Sequence, residues 1–147
     1  MSHQTLLDVK GLQAWYGAAK ILFDVDLKVG RGEVVALMGR NGAGKSTTMK
    51  SIMGLVDKRQ GQIHFMDRDV SARSTHEIAA MGLGFVPEDR RIFTDLTVLE
   101  NLEVGRQAAR VWPQGDPAPH WTPEKLFKLF PNLGEMPHRP GGRMSGG

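Results

Sequence analysis

Residues 39–47 read Gly-Arg-Asn-Gly-Ala-Gly-Lys-Ser-Thr and fit the pattern G-x-x-x-x-G-K-[ST] at Gly39, Gly44, Lys45 and Ser46. That spacing suits the binding of a phosphate chain. Gly42 and Gly44 let the backbone curl close to phosphate oxygens where a Cβ would obstruct it, and main-chain N–H groups converge at the positive end of the following helix. Lys45 places an ammonium on β- and γ-phosphates, and Ser46 offers a hydroxyl ligand to Mg²⁺. Asn41 brings an amide within reach of the terminal phosphate, and Thr47 reaches the α-phosphate from the first helical turn. The bland reading is a glycine-rich turn with an exposed lysine. The setting of the motif, between an apolar strand and a helix, argues against it.

Before the loop, Val34–Met38 is continuously apolar, which predicts a strand buried on both faces of a parallel sheet and running into the loop. From Ser46 to Leu55, Met49, Ile52 and Met53 recur at helical spacing, with Val56 beyond and Gly54 near the end. Upstream, Leu6–Val9 and the alternating Ile21–Val29 read as strands, punctuated by Gly30-Arg31-Gly32. Downstream, Gln62–Met66 reads as a strand, and Ser74 with Glu77 opens a helix through Ala80. Leu83–Val86 is a further strand stopped by Pro87. Thr97 with Glu100 caps another helix, and Thr122-Pro123-Glu124 starts one that Pro131 should end. Residues 111–123, with four prolines and two tryptophans, read as an irregular surface excursion. This order predicts an α/β domain opened by a small β layer.

No Asn-Lys-x-Asp sequence of the kind that reads guanine occurs, so adenine is favoured. Trp15-Tyr16-Gly17 supplies rings on which a base could stack, and Tyr16 is the preferred one.

The whole chain of 147 residues, 40% hydrophobic and 24% charged, suits one globular domain. Its longest apolar run falls far short of the roughly 18 residues of a membrane-spanning helix. No signal-like stretch opens it, and it contains no cysteine, so a cytoplasmic setting is expected. A net charge of +3 is too small to argue for nucleic acid, and none is expected as a partner. The five histidines are scattered without i,i+4 pairing, which disfavours zinc.

Tyr16, GRNGAGKST, FVPEDRRIFTDLTVLENL and the terminal MSGG together resemble the nucleotide-binding domain of ATP-binding-cassette (ABC) transporters, across the whole chain and in the family's order. The resemblance implies a P-loop NTPase fold with an N-terminal antiparallel β layer. Residues 1–87 would form the β layer and the start of the P-loop core, and 88–147 the coupling segment and helical subdomain. Gly39, Asn41, Gly42, Ala43, Gly44, Lys45, Ser46 and Thr47 then match the ATP-binding Walker A loop, and Tyr16 the adenine-stacking position. Glu88 falls where the family usually has a Gln that touches Mg²⁺ and the attacking water. Ser145, Gly146 and Gly147 begin the signature that meets ATP across a head-to-tail dimer. The implied cofactors are ATP and Mg²⁺. The implied partners are membrane permease subunits, a sister ATPase or a second copy and, indirectly, a periplasmic binding protein, with the chain peripheral on the inner face of the membrane.

Val86-Pro87-Glu88, Arg90-Arg91-Ile92-Phe93 and Glu100-Asn101-Leu102 narrow the resemblance to the LivF-type subunit of branched-chain amino acid importers, with urea or amide importers as the near alternative. In this family a strand ending Asp-Glu and a loop with His follow the signature. Glu88-Asp89 is no substitute, because Pro87 interrupts that strand and the acids stand in reverse order. Alone, the 147 residues are expected to bind ATP weakly and hydrolyse almost none. Two rival readings are a nonhydrolytic ATP-binding module and a small-molecule kinase, the latter disfavoured by the signature-like ending.

Overall fold

A computed structural model describes residues 4–89, 91–112 and 114–145. The elements are β1 (Thr5–Tyr16), β2 (Ala19–Gly30), α1 (Lys45–Ile52), β3 (Lys58–Phe65), β4 (Arg68–Asp69), α2 (Thr75–Ala80), α3 (Val98–Val104), α4 (Pro123–Leu129) and α5 (Pro131–Gly134), then a 3-10 turn at Gly141–Arg143. They divide into two compact units that meet in sequence at Phe85 and Val86.

The first unit is built on an antiparallel sheet of order β2-β1-β3-β4. β1 runs well past the expected Leu6–Val9 because of a register shift between Val9 and Leu12. One extra residue there reverses the alternation, so Leu7 and Val9 before it, and Leu12 and Ala14 after it, are all buried in one core. β3 accommodates the bulge at Gly61, whose φ is +112°. A Cβ there would stand 2.6 Å from the Gly11 carbonyl oxygen and 2.9 Å from Leu12 Cα. Ile63, Phe65, Val70 and Ile78 complete the core against Ile52 of α1 and Met53 just after it.

Two expected strands are not formed. Residues 33–40 carry no strand, and Val34 is 96% exposed; residues 83–87 also lack one, and Val86 is 91% exposed. A parallel strand exists only by sharing hydrogen bonds with neighbours on its flanks, and no described segment pairs with either run. Within α1, Met49 is 48% exposed while Thr48 and Ser51 are buried, so the inward face is more polar than the spacing of the methionines suggested.

In the second unit the expected caps form. Thr97 N–H donates to Glu100 Oε2 at 2.8 Å, and Glu100 N–H donates to Thr97 Oγ1 at 3.2 Å. Thr122 Oγ1 accepts from Lys125 N–H, with Pro123 in the first turn of α4. α4 ends before Pro131, as expected, but helical structure resumes at Pro131 itself. Its fixed φ suits the first position of a helix, and it opens α5 after a break at Phe130. The described residues between 111 and 122 form no helix or strand and are crossed by an isolated bridge between Val111 and Pro117.

Gly61→Ala should lower stability by about 2–4 kcal/mol, since backbone cannot yield as a side chain does; an unchanged urea midpoint would contradict the close approach to Gly11. The caps also carry a pH dependence. Hydrogen bonds from Ser74 hold the Glu77 carboxyl below its ordinary range, and those from Thr97 do the same for Glu100. A depressed folded pKa means stability present above the unfolded value, about 4.3, and lost as pH falls through the folded one. Replacing both acids by Gln should therefore flatten the fall in urea midpoint between about pH 5 and pH 3.

Candidate functional site

The loop 39–44 leads into α1 through Gly44, which has φ +93°, and Gly42 is also left-handed at +82°. Gly44 lies directly on β2. A Cβ there would come within 2.7 Å of Leu22 Cδ2 and 3.9 Å of the Ile21 carbonyl oxygen, so both backbone conformation and space require glycine. Thr48 N–H and Oγ1 both bond the Gly44 carbonyl, at 2.8 and 2.9 Å, closing the first turn.

Lys45 folds back across the loop it follows. Its Nζ donates to the carbonyls of Gly39 at 2.7 Å and Arg40 at 2.8 Å. The ammonium is thereby fixed at the mouth of the loop, with two of its three N–H donors used on main chain. No side chain caps the N-terminus of α1, and no acid lies in its first turn. The positive end of the helix, with neither a capping side chain nor a carboxylate against it, favours an anion there. Asn41 and Ser46 are exposed on the same loop and turn, with Ala43 and Thr47 alongside. Such a donor set suits a phosphate chain, and a hydroxyl at Ser46 suits a hard cation riding on it.

Tyr16 ends β1 and pairs with Ala19 across the hairpin. Leu22, beneath Gly44, pairs with Ala14, which places Tyr16 two residues, or roughly 7 Å along the strand, from the rung that carries the loop. Tyr16 is 40% exposed. Trp15 is instead engaged by the ammoniums of Lys20 and Lys58, at 5.3 and 4.7 Å from its ring centroid. Of the two rings, Tyr16 is the one left open.

Glu88 and Ser145 belong to the second unit. Glu88 is exposed in a turn with Asp89, whose carboxylate pairs with Arg91 at 2.9 Å. Arg90, Gly146 and Gly147 lie outside the described residues. The stretch before Ser145 is held against residues 93–97. Gly141 N–H donates to the Leu96 carbonyl at 2.7 Å, and Gly142 N–H to that of Thr94 at 3.0 Å. Asn101 braces the same loop, accepting from Phe93 N–H and donating to the carbonyls of Phe93, Leu96 and Thr97. Sequence reasoning singled out the segment around Asn101 but not this brace. It also missed Arg59 altogether, whose five main-chain bonds no local pattern announces.

A sequence profile described as ABC transporter matches residues 22–147. The chain belongs to the ABC transporter family. Among curated ABC relatives, the lipopolysaccharide export system ATP-binding protein LptB of Haemophilus influenzae is 34% identical over 97% of this chain and 58% of its own length. The high-affinity branched-chain amino acid transport ATP-binding protein BraG of Pseudomonas aeruginosa is also 34% identical, over 97% of this chain and 59% of its own length. A solved ATP-binding subunit of an ABC transporter superposes with a TM-score of 0.72 at 30% identity, covering 96% of this chain and 56% of that one. The chain thus spans less than two thirds of these relatives. Its fold is that of part of an ABC ATP-binding cassette, with the antiparallel layer expected for the N-terminal region.

Gly44→Ala should cost about 1–3 kcal/mol through its left-handed φ and the overlap with Leu22. Leu22→Ala in the same chain should recover part of that loss in chemical denaturation. Failure of the second change to recover any stability would contradict the contact between loop and hairpin.

Proposed function

We propose that this chain supplies the nucleotide site of an ATP-binding subunit that powers an importer of branched-chain amino acids. The observation that carries the reading is the uncapped N-terminus of α1, with Lys45 held across the loop in front of it. Main-chain N–H groups after Gly42 would hold the phosphates, Lys45 would meet the β- and γ-oxygens, and the exposed ring of Tyr16 would stack on adenine. Asn41 and Thr47 would bond the terminal and α-phosphates. Ser46 would hold Mg²⁺, whose charge offsets that of the phosphates. Glu88 would face the attacking water and the permease. Ser145, with Gly146 and Gly147, would contact ATP bound to a partner cassette.

The subunit would act on the inner face of the membrane with its permease and a second cassette, drawing on a periplasmic binding protein. No helix among the described residues is long and apolar enough to cross a membrane, in keeping with a role beside a permease. The identity with BraG and the Val86-Pro87-Glu88 and Glu100-Asn101-Leu102 segments support the solute assignment. LptB is equally similar, so the solute is the part that uptake must decide.

In the complete subunit assembled with its permease, Lys45→Ala should weaken MgATP binding at least about tenfold, roughly the worth of one lost charge-assisted contact. It should also abolish ATP-dependent leucine uptake. Undiminished affinity by calorimetry overturns the nucleotide reading. Intact leucine uptake with loss of another solute overturns the solute alone.

A further inference from the structure

Arg59 lies on β3 opposite Ala14 of β1, and Ala14 in turn lies opposite Leu22 of β2. These three residues form one rung across the sheet. At one end of the rung Leu22 supports Gly44, at the entry to α1. At the other end the Arg59 guanidinium reaches the exit of the same helix, donating through Nη1 to the carbonyls of Ser51 and of Ile52, the latter at 3.1 Å. The geometry is self-consistent: eight residues of helix span about 12 Å, and two strand spacings about 9.5 Å.

Arg59 makes three more bonds. Nε donates to the Ser71 carbonyl at 3.0 Å, and Nη2 to those of Val70 and Arg73, each at 3.0 Å. All five guanidinium N–H donors are thus directed at main-chain carbonyls. Among the described residues Arg59 forms no ion pair. Its charge is balanced by the negative end of α1 and by the loop after β4, and burial lowers its pKa from the ordinary value. An exposed arginine would gain little from such contacts. This one is half-buried, and its planar fork ties α1 to a segment that is remote from it in sequence.

We propose that Arg59 is a positioning residue for the phosphate site: it pins the C-terminus of α1 to β3 and the 70–73 loop, and so holds the N-terminus of the helix in place over β2 for the nucleotide's phosphates. The inference rests on the nucleotide reading above. It adds a residue that touches neither nucleotide nor metal, and it assigns the effect to phosphate and not to base. Because the helix has only eight residues, a shift at its exit passes directly to its entry.

The test compares Arg59→Met and Arg59→Lys with the unsubstituted chain, using MgATP and adenosine as probes in calorimetry and amide exchange of α1 as a readout that needs no nucleotide. Arg59→Met should weaken MgATP about tenfold and leave adenosine within about twofold. Arg59→Lys, which keeps the charge but loses the fork, should fall between. Exchange should quicken in α1 and stay unchanged in β1 and β3. Equal weakening of MgATP and adenosine, or unaltered affinity and α1 exchange, overturns the positioning role. If Arg59→Met does not fold, Arg59→Lys carries the same comparison, and α1 exchange identical to the unsubstituted chain overturns the proposal. No MgATP binding by the unsubstituted chain overturns the nucleotide reading and this role for Arg59 together. MgATP binding that Arg59 does not influence overturns the clamp alone.

Discussion

The backbone of Gly44 pressed against the Leu22 side chain is the contact on which the rest of the site depends. It fixes where the 39–44 loop ends and the helix begins, relative to a sheet whose register is set independently by β1. An isolated eight-residue helix is not stable in water, because too few hydrogen bonds repay the cost of nucleation. α1 persists because its start rests on β2, its end is gripped from β3, and Ile52 and Met53 are buried between. The polar inner face, with Thr48 and Ser51 buried, fits a helix held largely by hydrogen bonds at its ends.

The β1 bulge matters for the same reason. By reversing the alternation at Gly11 it lets a twelve-residue strand keep one face in the core along its length, and it brings Ala14 and Leu22 into a shared rung. Gly61 makes this possible from the opposite strand, since only a residue without a side chain can lie so close to the Gly11 carbonyl. The hairpin that results ends at Tyr16, so the feature that seats the 39–44 loop also places an exposed ring at the end of the same hairpin.

In the second unit, order comes from polar bracing more than from an apolar core. Asn101 satisfies four main-chain groups of residues 93–97, and Gly141, itself buried, closes against the same loop. A Cβ at Gly141 would stand 2.6 Å from the Phe93 carbonyl oxygen. The segment that carries Glu88 and the segment that leads to Ser145 are thereby joined through one short loop, although some fifty residues separate them in the chain.

The glycine-rich turn before α1, the helix caps at Ser74, Thr97 and Thr122, and the break around Gly30 were determined by the sequence alone. Each depends on neighbours a few residues apart, through backbone freedom, side-chain hydrogen bonds or a fixed proline φ. Tertiary structure alone decided whether apolar runs became strands. Val34–Met38 and Leu83–Val86 have the composition of buried strands, but a strand is completed by hydrogen bonds from other segments, and composition cannot supply them. It also decided the full length of β1, whose bulge hides the alternation. Arg59 was equally invisible, because a guanidinium that serves five distant carbonyls leaves no periodic or motif-like trace, and its partners exist only once α1, β3 and the loop after β4 have been brought together.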